Sequence, residues 1–365
     1  MNRALELSLR ASGQTSPNPM VGAVVVKNGN IIAEAFHEKA GGDHAERAAL
    51  KTAGAEAAGS TLYVSLEPCC HKGKTPPCTD IIIQSGIKKV VAACLDPFPH
   101  VQGRGVEILR KAGIEVETGL LEKKARRINE TFFCYHEKRR PFIILKWAMT
   151  LDGRTSTDNG QSKWITSEKS RLNVHSQRSL VDAILVGSGT VLKDNPRLDV
   201  RLPDYTGPHP CKIILAPDLD LPVNLNVFKS GGKVLIYHGE SEDNEFKNRA
   251  DRLKEAGAEI VALPLSNGKL EIKSLLRSMY DKQIQSVLVE GGRITAGMFM
   301  QAHAVDKITA YISPRIIGGR KATSPLIYDG VATVNLGPFL KDVVFKQFDS
   351  DIYLDGYVEN TLVLS

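Results

Sequence analysis

Short apolar stretches alternate with polar turns along the first 140 residues. Residues 21–26 and 31–36 flank Asn28-Gly29, a dipeptide that is typical of a two-residue hairpin turn. Three later strands and the helices between them are expected at residues 61–66, 80–85, 89–95, 105–112 and 114–118. The pattern predicts a layered α/β domain.

A helical pattern over residues 122–138 runs into Arg139-Arg140-Pro141. Because proline disfavours helix at the residue before it, we place a domain boundary near residue 140. At about 150 residues per domain, a chain of 365 residues predicts two domains. We therefore expect one domain over residues 1–140 and a second over residues 141–365.

The second domain opens with an apolar stretch at residues 142–149, followed by turn residues at 151–154. Further strands are expected at residues 182–186, 212–215, 233–237, 259–263 and 286–289. Helical segments lie between most of them, which predicts a mainly parallel sheet with crossover helices. Residues 343–348 and 352–358 suggest a closing antiparallel hairpin.

The composition is ordinary for a globular protein, with 42% hydrophobic and 24% charged residues. A net charge of +6 suits anionic ligands but is too modest to indicate nucleic acid, and the basic residues of 123–140 favour a solvated helical face. No apolar stretch approaches the ~20 residues needed to cross a bilayer, so no membrane association is expected. Six cysteines without the spacing of a disulfide framework favour a reducing cytoplasm.

The strongest chemical pattern lies in the first domain. The segment His44-Ala45-Glu46 supplies an imidazole and a carboxylate, and Cys69 and Cys78 supply two thiols. Three such protein ligands hold a catalytic Zn²⁺ and leave its fourth position for water. A zinc deaminase also needs a carboxylate that moves a proton from the attacking water to the leaving amine, and we assign this role to Glu46.

Two other interpretations of this group stay open. The first is a buried histidine with two inert thiols, the usual role of each such residue taken alone. The second is a structural zinc, which needs a fourth protein ligand that Cys70 or His71 could supply.

Asp43 is expected to cap the helix that His44 opens.

Two glycine turns follow predicted strands in the second domain, at residues 186–190 and 289–297. Glycine lets the backbone approach a pyrophosphate, and the amides at a helix start offer donors for it. Each of the two segments is equally consistent with a tight strand-to-helix turn that needs glycine only for steric reasons. No G-x-G-x-x-G opens the domain, so the ordinary Rossmann fingerprint is not predicted.

Several segments match one known pattern over nearly the whole chain. In the first domain they are residues 17–24 (PNPMVGAV), 44–46 (HAE) and 67–78 (EPCCHKGKTPPC). In the second domain they are residues 145–153 (LKWAMTLDG), 162–166 (SKWIT), 189–196 (GTVLKDNP) and 289–292 (VEGG). Together these segments resemble the bifunctional riboflavin-biosynthesis deaminase/reductase family.

The resemblance implies a cytidine-deaminase-like three-layer α/β domain with one Zn²⁺, followed by a dihydrofolate-reductase-like α/β domain that uses NADPH. It also implies two reactions. The first is hydrolytic deamination of 2,5-diamino-6-ribosylamino-4(3H)-pyrimidinone 5′-phosphate. The second is reduction of the ribosyl group of 5-amino-6-(5-phosphoribosylamino)uracil to ribityl. Small phosphorylated pyrimidines are the expected partners, together with a second copy of the chain in a homodimer through the second domain.

The resemblance further assigns roles to residues of both domains. The implied zinc ligands and the catalytic carboxylate are His44, Cys69, Cys78 and Glu46. The implied contacts of the deaminase substrate are Asn18, His37, Ala45, His71 and Lys74. The implied NADPH contacts are Ala148, Trp164, Thr190, Asp194, Gly292, Arg293, Ile294, Thr295, Ala296, Gly297 and Met298. The implied contacts of the reductase substrate are Ser162, Arg178, Leu198, Arg201 and Glu290.

Physical arguments bear on four residues of the second domain. Arg178 and Arg201 each present a planar fork suited to phosphate and would form a two-pronged clamp. Lys146 lies on the first strand of the domain, either as a substrate contact or as a lysine that snorkels at a strand edge. Trp164 could equally belong to the core.

Two other functions are compatible with parts of the sequence. A tRNA or single-stranded nucleic-acid deaminase would share the zinc ligands, but it should read bases with aromatic side chains and a basic groove. A zinc-stabilised binding protein would use its second domain only to sense a nucleotide.

Overall fold

The structure, a computed structural model, describes residues 1–71 and 76–359. The chain divides into two compact units, one of residues Met1–Glu137 and one that begins at Lys138. This division lies close to the boundary that the sequence suggests near residue 140. Among the described helices, none combines the length and the apolar character that a membrane span requires.

The strands of the first unit are β1 (Gly22–Lys27), β2 (Asn30–Phe36), β3 (Thr61–Val64), β4 (Lys89–Ala92) and β5 (Glu115–Thr118). They form one sheet in the order β2-β1-β3-β4-β5, antiparallel from β2 to β3 and parallel from β3 to β5. The hairpin about Asn28-Gly29 is confirmed, and the three later strands are present with shorter bounds than the sequence suggests.

The helices of this part of the chain are α1 (Asn2–Leu9), α2 (Ala45–Ala53), α3 (Cys78–Gln84), α4 (Arg104–Lys111), α5 (Glu122–Ile128) and α6 (Glu130–Lys138), with a 3₁₀ turn at Gly54–Ala57. Strand β1 is buried on both faces. Ala23 and Val25 share a core with residues of α2, α3 and α4, whereas Val24 packs against Ala4 and Leu7 of α1. Because alternate residues of a strand face opposite sides, helices cover both faces of the sheet.

The single helix expected over residues 122–138 is wrong, since α5 and α6 are separated at Asn129. The side chain of Asn129 is buried, and its Oδ1 accepts a hydrogen bond from the amide of Met20 at 2.8 Å. Its Nδ2 donates to the carbonyl of Met20 at 2.9 Å. A buried amide must be satisfied, and this contact with a distant segment prevails over the local helical pattern.

The strands of the second unit are β6 (Phe142–Thr150), β7 (Ala183–Gly187), β8 (Cys211–Leu215), β9 (Val234–His238), β10 (Ala258–Ala262), β11 (Leu265–Ser266), β12 (Lys269–Leu270), β13 (Ser286–Val289), β14 (Lys307–Ser313), β15 (Leu340–Phe348) and β16 (Asp351–Val358). Nine of them form a sheet in the order β10-β9-β8-β7-β13-β6-β14-β16-β15, and among the described residues β11 pairs only with β12. The pairs from β10 to β14 are parallel, and the last two are antiparallel. The mainly parallel sheet and its closing hairpin are confirmed.

Strand β14 is missing from the sequence prediction although it pairs with β6 inside the sheet. Its sequence, KITAYIS, carries polar side chains at Thr309 and Ser313, and both are buried. Because polar residues occupy buried positions in this strand, a prediction based on the pattern of hydrophobic residues misses it.

The helices of the second unit are α7 (Glu168–Arg178), α8 (Ser188–Asp194), α9 (Asn226–Lys229), α10 (Asn244–Glu255), α11 (Ile272–Asp281) and α12 (Arg293–Gln301), with a 3₁₀ turn at Val334–Leu336. Residues of β7 alternate between two cores. Ala183 and Leu185 pack with residues of α11 and α12, whereas Ile184 and Val186 pack with residues of α8 and α10. Helices therefore cover both faces, and a ligand site is expected outside the carboxyl ends of the parallel strands.

Candidate active sites

His44 and Glu46 are brought together at the start of α2. The backbone of His44 is extended and occupies the position before the helix, and Glu46 lies in the first turn. Asp43 does not cap the helix as the sequence suggests. Its carbonyl oxygen lies 3.0 Å from Nδ1 of His37, and its carboxylate accepts a hydrogen bond from Lys51 at 2.6 Å.

The imidazole of His44 and the thiols of Cys69 and Cys78 form one group. Nδ1 of His44 lies 3.4 Å from Sγ of Cys69 and 3.3 Å from Sγ of Cys78, and all three atoms lie within 4.8 Å of one another. In the part of the chain that the structure describes, no fourth histidine, cysteine or carboxylate joins them. One nitrogen and two sulfur atoms make three protein donors, the number typical of a catalytic zinc site that keeps its fourth position free for water. A structural zinc site needs four, so the residues present fit one Zn²⁺ of the catalytic kind.

Cys70 and His71, which the structural-zinc interpretation needs as a fourth ligand, lie outside this group. The thiol of Cys70 donates to the carbonyl of His100 at 3.6 Å. The ring of His71 is exposed and meets that of Phe98 edge to face, with 5.6 Å between centroids. An open cavity of about 480 Å³ is lined by Cys70, His71, Phe98, His100, Arg104 and Ile108.

Burial and mutual hydrogen bonds shift the pKa values of Cys69, Cys78 and the neighbouring Glu46. The hydrogen bond from the Cys78 thiol lowers the pKa of Cys69, and the imidazole of His44 adds to this effect. The same hydrogen bond and burial raise the pKa of Cys78. Burial raises the pKa of Glu46 to about 7, where a carboxyl group can both accept and release a proton near neutral pH.

A short hydrogen-bonded chain joins two expected substrate contacts, Asn18 and His37, to the backbone of the residue before His44. The carbonyl of Asp43 can only accept, so Nδ1 of His37 carries a proton and donates to it. The opposite nitrogen, Nε2, then accepts from the side-chain amide of Asn18 at 3.1 Å. The rings of His37 and His44 lie edge to face, 5.3 Å apart. Ala45 is fully buried beside them, whereas Lys74 lies outside the described residues.

Glu67 is a buried carboxylate that the sequence analysis missed. It accepts hydrogen bonds from the amides of Asp96, Gly103 and Val106 at 3.1, 2.9 and 3.1 Å. A Cβ atom at Gly105 would lie 2.2 Å from the carbonyl oxygen of the residue after Glu67, so α4 packs directly against the segment that carries Cys69. The only signal in the sequence was the proximity of Glu67 to the cysteine.

The two glycine turns of the second unit lie side by side, at the carboxyl ends of the neighbouring strands β7 and β13. The amide of Gly292 donates to Oγ1 of Thr190 at 2.9 Å. A Cβ atom at Gly291 would lie 2.7 Å from Cα of Val186, so the steric reason for glycine applies at this position. Steric need and ligand binding are therefore compatible in the same turn.

The start of helix α12 is exposed, and the residues that follow are more buried. Gly292, Arg293 and Ile294 are exposed, whereas Thr295, Ala296 and Gly297 are buried and Met298 packs against the core. A ligand at this edge of the sheet would meet the backbone amides of the first turn, which carry the positive end of the helix dipole.

Three other expected cofactor contacts lie in the same unit. Trp164 is 64% exposed, with the guanidinium of Arg171 4.5 Å from the ring centroid, so it is not a core residue. Asp194 ends α8, and its carbonyl accepts a hydrogen bond from Lys163 at 3.2 Å. Ala148 is half-buried on β6.

Glu290 follows β13 and is enclosed by two cations. The guanidinium of Arg178 donates from Nε and Nη2 to its two oxygens at 2.6 and 2.9 Å, and Nζ of Lys146 lies 3.8 Å away. Burial opposes ionisation of Glu290, but Arg178 and Lys146 outweigh it and lower its pKa to about 2. Burial lowers the pKa of Lys146. Because β6 lies between β13 and β14, Lys146 is not a lysine at a sheet edge.

The clamp expected from Arg178 and Arg201 does not form in this geometry. Arg178 is nearly buried, and besides Glu290 it donates from Nη1 to the carbonyl of Asp199 at 3.0 Å. Arg201 is instead paired with the carboxylate of Asp199, which also accepts from Nε of Arg197 at 2.8 Å. The sequence analysis missed Arg197 and Asp199, although the alternation of charges at positions 197, 199 and 201 was a visible signal.

The remaining expected substrate contacts lie in the same unit. Ser162 is half-buried. Leu198 is buried with a φ of 53°, in the left-handed region that few side chains other than glycine adopt readily. Leu198, the residue with this backbone conformation, separates Arg197 from Asp199.

Two family descriptions match different parts of the chain. Residues 1–94 match the zinc-binding region of cytidine and deoxycytidylate deaminases. Residues 141–354 match the RibD C-terminal domain.

Whole proteins match as well. The riboflavin biosynthesis protein RibD of Aquifex aeolicus is 47% identical over 87% of this chain and 87% of its own length. The RibD protein of Bacillus amyloliquefaciens is 42% identical over 97% of this chain and 94% of its own.

Among solved structures, Acinetobacter baumannii RibD (form 1) superposes with a TM-score of 0.88 at 35% identity, covering 98% of this chain and 97% of that one. A diaminohydroxyphosphoribosylaminopyrimidine deaminase/5-amino-6-(5-phosphoribosylamino)uracil reductase from Thermotoga maritima superposes with a TM-score of 0.83 at 42% identity, with the same coverage.

Proposed function

The chain belongs to the family of the riboflavin biosynthesis protein RibD, and from that premise we propose which of its residues carry the two reactions. The protein is a bifunctional enzyme of riboflavin biosynthesis, with a zinc-dependent deaminase and an NADPH-dependent reductase, and its substrates are small phosphorylated pyrimidines. The first fold is that of the cytidine deaminases, and the second is like that of dihydrofolate reductase. We assign the deaminase to residues 1–140 and the reductase to residues 141–365.

The deaminase assignment is carried by the grouping of His44, Cys69 and Cys78 beside Glu46. These three side chains would hold one Zn²⁺, which supplies a water of lowered pKa as the nucleophile at neutral pH. The carboxyl group of Glu46 takes a proton from the attacking water and passes it to the departing ammonia as the carbon–nitrogen bond breaks. The proposed contacts of this substrate are Asn18, His37, Ala45, His71 and Lys74.

In the reductase, NADPH supplies a hydride for the anomeric carbon of the ribose in its open imine form. The chain itself positions the two reactants, which contributes up to ~7–11 kcal/mol to lowering the barrier. The proposed cofactor contacts are Ala148, Trp164, Thr190, Asp194 and the seven residues from Gly292 to Met298. The proposed substrate contacts are Lys146, Ser162, Arg178, Leu198, Arg201 and Glu290.

The two other functions considered from the sequence are not favoured. A nucleic-acid deaminase does not account for the match of the second half of the chain to a reductase. A zinc-stabilised binding protein does not account for Glu46, which lies in the first turn of α2 and beside an open three-ligand group.

We further propose a homodimer through the second unit. In the described residues β15 is an edge strand, and an exposed apolar surface surrounds it at Val334, Leu336, Phe339, Val344 and Phe345. Such an edge and patch are typical of a surface that another chain covers. Sedimentation equilibrium should give a dimer for the wild type and a monomer for Phe345→Asp; a monomeric wild type at micromolar concentration would contradict the proposal.

The cytoplasm is the proposed compartment, because all six cysteines are thiols and two of them must stay reduced to bind metal. Cell fractionation that found the activity outside the cytoplasm would contradict this.

One experiment separates the two activities. The diaminopyrimidinone phosphate is supplied with and without NADPH, while ammonia and NADPH absorbance are followed separately. We expect ammonia release in both cases, and NADPH oxidation only after deamination. Ammonia release that requires RNA, or no NADPH oxidation with the deaminated substrate, would contradict the assignment.

A further inference from the structure

The ammonium group of Lys146 lies inside the second unit with its hydrogen-bond donors unused. The side chain is 15% exposed, and Nζ lies 3.8 Å from Oε2 of Glu290, which is beyond hydrogen-bond distance. Within the described residues, Nζ makes no hydrogen bond. An ammonium group has three N–H donors, and burying them without acceptors is costly. The donors of Lys146 are therefore available to a ligand that enters the site.

The ring of Tyr311 lies beside this ammonium group on the neighbouring strand. Strand β6 pairs with β14 so that Lys146 lies opposite Thr309, and Tyr311, two residues further along, faces the same side of the sheet. Nζ of Lys146 lies 5.8 Å from the centroid of the Tyr311 ring. This is within the ~6 Å at which a ring face attracts a cation. The ring stabilises the charge while the N–H donors stay available to an oxygen acceptor.

Helix α7 holds Tyr311 in place. The side chain is 1% exposed, and its hydroxyl donates to Oδ1 of Asn173 at 2.5 Å and accepts from Nε2 of Gln177 at 3.1 Å. The ring of Tyr353 on β16 meets it edge to face, with 5.2 Å between centroids. A buried hydroxyl with both a donor and an acceptor partner is fully satisfied. Together these contacts fix the plane of the Tyr311 ring.

The same helix also fixes the other neighbour of the ammonium group. Arg178, the last residue of α7, donates to both oxygens of Glu290 at 2.6 and 2.9 Å. Burial lowers the pKa of Lys146, whereas Glu290 raises it and Arg178 lowers it. The neutral ring of Tyr311 is a further contribution that favours the charged amine without adding charge to the site.

We propose that Tyr311 is a positioning residue of the reductase, whose ring face holds the ammonium group of Lys146 beside Glu290 with its N–H donors free for the reductase substrate. In this role Tyr311 acts through Lys146 and touches neither reactant. The inference rests on the proposed function, because Lys146 is assigned there as a contact of this substrate. Sequence analysis did not single out Tyr311, since it lies on β14, the strand that the hydrophobic pattern misses.

The test replaces Tyr311 by phenylalanine and by leucine. Tyr311→Phe keeps the ring face and loses the hydroxyl contacts with α7, whereas Tyr311→Leu loses the ring. We expect kcat/KM for the deaminated substrate to fall about tenfold in Tyr311→Leu and to be largely kept in Tyr311→Phe, with KM for NADPH unchanged in both.

Tyr237→Leu is the matched control. Tyr237 is also fully buried in the second unit, and its hydroxyl donates to Oγ of Ser278 on helix α11 at 3.2 Å. This variant should lower the melting temperature as Tyr311→Leu does, while kcat/KM is kept. Equal kcat/KM in wild type and Tyr311→Leu would overturn the proposal.

A double substitution distinguishes positioning from packing. In a Lys146→Met background, Tyr311→Leu should cause no further loss of kcat/KM, because both changes act through one group. A further tenfold loss in that background would mean that Tyr311 acts through packing alone, and the proposal would be wrong.

The ionisation of Lys146 gives a readout that needs no reaction. Lysine side chains labelled with ¹³C are titrated by NMR, and the Lys146 signal is assigned by its loss in Lys146→Met. Its pKa should be lower by about one in Tyr311→Leu than in wild type and unchanged in Tyr311→Phe. The same pKa in wild type and Tyr311→Leu would contradict the inference. A wild type that shows this difference but reduces no substrate would contradict the proposed function and leave the contact of Lys146 with Tyr311 standing.

Discussion

The two units reach their chemistry by different means. In the first unit, the donor atoms of His44, Cys69 and Cys78 lie close together, and they need a metal ion from solution to become an active centre. In the second, Glu290 is already enclosed by Arg178 and Lys146, so the charges of the site belong to the fold. Side chains of the first site should therefore matter mainly for activity. Those of the second should matter for stability as well.

The largest effect is expected from Cys69→Ser. Removal of one of three ligands should abolish zinc content and ammonia release, while reduction of the deaminated substrate continues. Zinc is measured by mass spectrometry after dialysis. Cys70→Ser is the matched control, because the Cys70 thiol contacts the carbonyl of His100 and lies outside the ligand group. Loss of zinc in the control would mean that the ligand set includes Cys70.

Next in size is Glu46→Gln, which keeps the shape of the side chain but removes the group that moves the proton. We expect ammonia release to fall by ~10²–10⁴, the usual contribution of general acid–base catalysis, with zinc content unchanged. Glu56→Gln, an exposed carboxylate shortly after α2, is the control. If the Glu46 variant also stopped the reductase in a folded protein, the two sites would not be independent.

The difference between the units also explains what sequence can predict. The candidate ligands of the first site lie within 35 residues, and imidazole and thiol groups are donors that zinc prefers, so the local sequence narrows the candidates to a few residues. In the second site, the partners Arg178 and Glu290 come from α7 and from the end of β13, far apart in sequence. Only the folded sheet shows that Arg178 binds Glu290.

Two features of the fold were not predicted from the sequence for a related reason. Sequence patterns assign polar residues to the surface, and β14 contains Thr309 and Ser313 in buried positions. Asn129 breaks a helix because its side chain satisfies the backbone of Met20, a contact that no local pattern contains. Strands made of buried apolar residues, such as β7, β8 and β9, were predicted to within one residue at each end.

A smaller effect, now on stability, is expected from Glu290→Gln. The substitution leaves Arg178 and Lys146 buried without their counter-charge, which costs about 3–5 kcal/mol of unfolding free energy. Both tryptophans, Trp147 and Trp164, lie in the second unit, so urea unfolding followed by tryptophan fluorescence reports this unit. In the control, Glu259→Gln, the carboxylate pairs with surface lysines and should cost about 0–1 kcal/mol.

The stabilisation by Glu290 should also depend on pH. Its pKa is about 2 in the folded state, below the value of about 4.3 expected when unfolded. A carboxylate with a lowered pKa stabilises the fold fully above the unfolded pKa and progressively less as pH falls towards the folded one. The difference in stability between wild type and Glu290→Gln should thus be constant above about pH 4.3 and shrink towards pH 2. A constant difference throughout would assign the loss to packing.

The smallest effect is expected from Asn129→Ala, which tests whether the first unit also depends on buried polar contacts. The substitution removes two hydrogen bonds to the backbone of Met20, two residues from Asn18, and should cost about 1–3 kcal/mol. Hydrogen exchange at the Met20 amide should become faster, and deaminase KM should rise through movement of Asn18. In the exposed control, Asn2→Ala, neither should change. Because the contact of Asn129 is neutral, its loss should be independent of pH from 5 to 8; a loss that varied with pH would mean that a charged network also stabilises the first unit.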